Sequence, residues 1–175
     1  MTREQVEQVL RAAASILQES SFVVVGSQSV QPSHPNAPPE LLAYRELDLY
    51  PAAAPKKADL IDGAIGALSQ FDKAFGYYGD NVGPETATLP RSWMDRASLH
   101  YIGELTAICL ELCDRAASKC AAGREKYADY VSVLFRERTI DVKTLVERVA
   151  MLDPARGDVP RRTAWARRRA AEAAA

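Results

Sequence analysis

Two short runs constrain this chain more than anything else in it. Phe22-Val23-Val24-Val25 is apolar and β-branched enough for a buried strand, and it delivers Gly26-Ser27 to a turn. Glu46-Leu47-Asp48-Leu49-Tyr50 then alternates acid with apolar residue. Strand side chains repeat with period two, so Glu46 and Asp48 emerge on one face, roughly 7 Å apart at their backbones, while Leu47 and Leu49 enter the core. Paired carboxylates on a wet face suit a divalent metal, and a wet strand face is often acidic for no further reason. Glycine beside them lets backbone N–H groups approach phosphate oxygens with no Cβ in the way, or simply turns the chain.

The helical and loop patterns around these runs set the architecture. Val6, Leu10, Ala13, Ala14 and Leu17 recur at helical spacing, which predicts a helix over 3–19 leading into the first strand. Gln31-Pro32-Ser33-His34-Pro35-Asn36-Ala37-Pro38-Pro39 carries four prolines and reads as a surface loop, with a helical turn at 40–44. Leu60, Ile61, Ala64, Ile65 and Leu68 predict one helix from Lys57 to Phe71 that crosses over one face of the sheet. Residues 74–103 read as extended and turn-rich, with two further strands or a hairpin. From Leu110 onward the pattern is helical, at 111–121, 124–137, 141–151 and 162–174, with stops at Gly123 and Asp153-Pro154.

At 175 residues and 47% apolar content, the expectation is one soluble α+β domain: a mixed sheet flanked by helices over 1–109, and a helical region at 110–175 packed on it. Twenty-two basic residues against 23 acidic leave a formal charge of -1, so no global field drives the chain onto nucleic acid or an anionic membrane. No apolar stretch is long enough to span a membrane, and Met1 to Gln5 lacks a signal peptide's pattern, which reads as cytoplasmic. Cys109, Cys113 and Cys120 are odd in number, lack a paired C-x2-C, and read as small core residues.

In order and spacing, Val25-Gly26-Ser27 followed by Glu46-Leu47-Asp48 resembles the nucleotidyltransferase superfamily, the fold of DNA polymerase beta and the minimal nucleotidyltransferases. A second block narrows the resemblance. Phe75-Gly76-Tyr77-Tyr78, Val82 to Ala87, Leu89-Pro90 and Trp93, then Asp114, Lys119 and Ala122-Gly123-Arg124-Glu125-Lys126, is similar to small bacterial nucleotidyltransferases, some of whose relatives are toxins of toxin–antitoxin and abortive-infection operons. Together the motifs span about residues 5–150.

The resemblance implies transfer of a nucleoside monophosphate from an NTP to an acceptor hydroxyl on RNA or protein. It implies magnesium or manganese held by Glu46 and Asp48, and phosphates held by Gly26 and Ser27 with Lys119 and Arg124 as cationic clamps. A third carboxylate is expected at Glu85, with Asp80 and Glu111 as alternatives. An antitoxin would be the partner if the chain is a toxin. Asp114 would anchor its helix by capping or by pairing with Arg124 or Lys126. Arg45, which a regular strand would turn to the face opposite Glu46, is not counted as a phosphate ligand. The chain departs from the family at Cys113, where a polar residue is expected, and at Tyr127, where an acid is expected. These departures motivate a second reading, a non-catalytic binding module for nucleotide or an operon partner. The tail from Arg161 to Arg169, with five arginines and Trp165, is either an exposed terminal helix or a contact for RNA phosphates.

Overall fold

A computed structural model describes residues 1–34 and 36–174, and these divide into two units, Met1–Thr86 with Ala97–Leu110, and Ala87–Arg96 with residues 111 onward. The first unit is α+β. It runs α1 (Arg3–Leu17), β1 (Ser21–Val24), α2 (Pro39–Leu42), β2 (Glu46–Pro51), α3 (Asp59–Ile65), α4 (Gln70–Phe75), β3 (Tyr78–Asn81), β4 (Ser98–Ile102) and β5 (Leu105–Cys109). The sheet is mixed, in the order β3-β2-β1-β5-β4.

Strand β1 lies at its centre, antiparallel to β2 and parallel to β5. Covered on both faces, it needs the unbroken apolar run, and Phe22, Val23 and Val24 are fully buried. Strands β2 and β3 are parallel, so the chain between them must cross over, and α3 and α4 make that crossing. Thr2 and Gln5 form a reciprocal capping box at the start of α1, whose Val6, Val9, Leu10, Ala13 and Leu17 face the core.

The single helix expected over 57–71 is broken in two. Gly66 leaves α3 in an extended conformation, Leu68 turns left-handed at φ 64°, and the Ser69 hydroxyl accepts from Asp72 N to start α4. The apolar period alone carries through this break, but the cap ends one helix and starts another. Residues 74–103 hold two strands, β3 and β4, as expected, and the chain then turns at Gly103 into β5, which pairs with β4 as a hairpin beyond that region.

The second unit holds α5 (Leu112–Ala122), α6 (Lys126–Arg136), α7 (Val142–Ala150) and α8 (Val159–Ala174). Residues 87–96, placed with the sheet from sequence, belong to this unit. Arg91 N donates to Met151 O at 3.0 Å, and Arg96 forks onto Asp114 at 2.8 and 3.0 Å. Asp114 is therefore anchored by Arg96, and by an ion pair to Arg148 at 3.2 Å, in place of the expected Arg124 or Lys126. Glu111 caps α5, accepting from Cys113 N and Asp114 N. Among the described residues, no helix is long and apolar enough to cross a membrane.

Candidate active site

The acid face of β2 is built as its alternation predicts. Leu47 and Leu49 are fully buried, while Glu46 and Asp48 are half-buried on the other side. Parallel pairing sets Glu46 beside Tyr78 and Asp48 beside Asp80, and register partners share a face. The third carboxylate that meets this row is thus Asp80, supplied by β3. From sequence it stood only as a turn acid among alternatives, and the period-two spacing of Tyr78 and Asp80 around Gly79 was the signal available.

The Asp48 and Asp80 carboxyls are hydrogen-bonded to each other, and the Asp80 carboxyl is raised above its ordinary value. Burial contributes most, followed by the charges of Asp62 and Glu46, and the bond to Asp48 opposes them. Two acids in contact share protons or take up a cation, because both cannot ionise cheaply at that distance. Tyr78, beside Glu46, is likewise raised, by burial first and then by Glu46 and Asp80.

Gly26 approaches this pair more closely than any side chain would allow. A Cβ at position 26 would lie 1.3 Å from Asp48 Oδ2. Val25 N donates to Asp48 O at 3.1 Å, which fixes the strand end against the acid. The chain then closes a 3-10 turn over Ser27–Val30, with Ser29 N and Oγ both donating to Gly26 O, and Ser27 is buried. Gln28, fully buried, donates to Leu42 O and Tyr44 O and ties the turn to the approach of β2.

The other expected site residues stand elsewhere. Glu85 is exposed in the turn after β3, its carboxylate folded over Gly83 and its charge bearing on Tyr50, which follows Asp48 on the same face of β2. Arg45 precedes the strand, pairs with Asp72 and rests 5.6 Å from the Tyr78 ring centroid. The strand rule that sent it to the opposite face does not reach a residue outside the ladder. Lys119 and Arg124 lie in the second unit. Lys119 is only 7% exposed, with its ammonium 4.1 Å and 4.4 Å from the ring centroids of Tyr127 and Tyr130. Arg124 lies 5.8 Å from the Tyr127 ring. Burial pushes the Cys113 and Cys120 thiols up to about 12.

No protein-family model, no curated protein and no solved structure matches this chain. The site is therefore judged by its own chemistry. Its donors are hard carboxylate oxygens, the type magnesium and manganese prefer, and the Cβ-free Gly26 lets the Asp48 carboxylate pack directly against the turn. Among the described residues no group of three or more acid, His or Cys side chains converges on one point, so the protein would supply Asp48 and Asp80, with Glu46 next in the row, and other oxygens would complete a metal's shell.

Proposed function

We propose that the chain is a divalent-metal-dependent nucleotidyltransferase that moves a nucleoside monophosphate from an NTP to a hydroxyl of RNA or protein. The observation that carries this reading is the meeting of Asp48 with Asp80 across parallel strands, directly against the Cβ-free Gly26. Magnesium or manganese bound there would neutralise triphosphate charge and polarise the reacting phosphorus.

The chain's own groups have separable tasks. Asp48 and Asp80 hold the ion's position, and Glu46 adds charge beside them. The turn that begins at Gly26-Ser27 would present backbone N–H groups and the serine hydroxyl to phosphate oxygens, and the missing Cβ of Gly26 lets that turn lie directly against Asp48. Glu46, the carboxylate beside the metal-holding pair, would take the proton of the attacking hydroxyl as the new phosphorus–oxygen bond forms and pyrophosphate departs.

Incubation with each labelled NTP, magnesium, total RNA and protein tests the proposal. Asp48→Asn and Asp80→Asn should each lower transfer at least about 100-fold, the scale of losing a positioned charge, with the fold intact by circular dichroism. Undiminished transfer by the Asp48→Asn/Asp80→Asn double variant would sink it. The enclosure of Lys119 by Tyr127 and Tyr130 favours a second reading, a non-catalytic nucleotide-binding module, since it ties up one expected phosphate clamp. Calorimetric binding of magnesium-NTP with no transfer to any acceptor selects that reading. Growth arrest on expression, relieved by Asp48→Asn, would assign the enzyme as a toxin.

A further inference from the structure

The second unit contains a cavity of about 320 Å³ between the last turn of α5 and the first turns of α8. Cys120 to Gly123 form one wall, Arg156 to Asp158 another, and Arg161, Arg162 and Trp165 the third. Arg162 is 93% buried in this wall, since only 7% of it is exposed, yet no carboxylate pairs with it among the described residues. Its Nη2 donates to Arg156 O, while its Nη1 is buried without a hydrogen-bond partner. A buried guanidinium without a counter-charge is costly, and an anion in the cavity would relieve that cost. Gly157, at φ 147°, makes the arrangement possible: a Cβ there would lie 2.1 Å from Arg162 Nη2.

Asp158 also lines the cavity, where its Oδ1 accepts from Arg161 N at the start of α8, and no ion pair joins it to Arg162. The opposite wall differs in chemistry. The final carbonyls of α5 have no following helical N–H, so they offer acceptors to a hydroxyl or an amino group. Cations and an indole on one wall and acceptors on another suit a nucleotide better than a bare anion. Arg161, Trp165 and Arg168 then follow at helical spacing along one stripe of α8, with both arginines exposed, so the cationic track continues beyond the cavity. Arg169 already packs on Trp165, 5.5 Å from its ring, and helps hold the indole in place.

We propose that this cavity binds single-stranded RNA, with one backbone phosphate on Arg161 and Arg162, the next base stacked on Trp165, and a second phosphate on Arg168. The assignment concerns binding by the helical unit and stands apart from the transfer chemistry of the sheet.

Fluorescence anisotropy with a labelled 12-nucleotide single-stranded RNA, at several salt concentrations, tests it on the full chain. Arg161→Ala and Arg168→Ala alter exposed residues and should leave the fold intact. Each is expected to weaken binding about tenfold and to reduce the salt slope by roughly 0.7, the amount for one phosphate contact on a single strand. Trp165→Leu should cost tenfold or more, the scale of one base stack. In a Trp93→Phe background, RNA should quench the remaining tryptophan. The Glu46→Gln/Asp48→Asn variant should bind RNA as the parent does, so failure of transfer and failure of binding are told apart. Unchanged affinity in Trp165→Leu would overturn the proposal. Equal binding of duplex RNA, equal binding of single-stranded DNA, or full competition by inorganic phosphate would each overturn it as well.

Discussion

At the scale of single residues, the least visible one has the sharpest consequence. Gly26→Ala keeps an ordinary φ of -76°, so the backbone tolerates it, but the new methyl would occupy the place of the Asp48 carboxylate. We expect a cost of about 1–3 kcal/mol in a urea titration and loss of manganese binding by electron paramagnetic resonance. His100 gives a pH signature. It lies within hydrogen-bond reach of Ser98 and Ser33, and burial, then the charge of Arg3, lower it below its ordinary value of 6.5. A base lowered in the folded state binds fewer protons there than when unfolded. Its contribution to stability is therefore complete above pH 6.5 and is lost as pH falls below that value toward the folded one. Melting temperatures between pH 7.5 and 5 should fall less steeply in His100→Gln. The thiols give a third outcome: all three cysteines are buried, so a disulfide reagent should label them only as the protein unfolds.

At the scale of elements, what could be read from the chain was whatever a single period decides. The alternation of β2 and the apolar run of β1 are visible in order, and so are the four C-terminal helices, because each answers to burial on one face or on both. The α3–α4 break was not legible by period, since a Ser69 cap and a left-handed Leu68 override an apolar spacing that runs on. Asp80 was legible only as one of three candidates for the third carboxylate, because what sets it beside Asp48 is register with a strand some thirty residues earlier, and pairing is not written in local composition. Asp80→Asn tests that register directly. It removes one of two acids in contact, so in chelator it should raise the melting temperature at pH 7, while magnesium should stabilise the variant less than the parent. Tyr127, where the resemblance leads one to expect an acid, acquires a role at this scale: α6 sets its ring against the Lys119 ammonium, doing with a quadrupole what an acid would do with a charge.

At the scale of the whole molecule, the chain enters the second unit, returns to the first, and leaves it again. Arg96, on the excursion, supplies the fork that holds the fully buried Asp114 of α5. Arg96→Ala leaves Arg148 as the remaining charge opposite Asp114, and we expect a loss of about 3–5 kcal/mol by chemical denaturation, as for a buried ion pair stripped of a partner. A fragment starting at residue 111 should be similarly impaired, whereas adding a peptide of residues 87–96 should recover part of its helicity by circular dichroism. The ten-residue excursion thus acts as a stitch. Anyone transplanting the helical unit into another protein must carry two lengths of thread, and a gene fusion cut at the apparent boundary would leave the seam open.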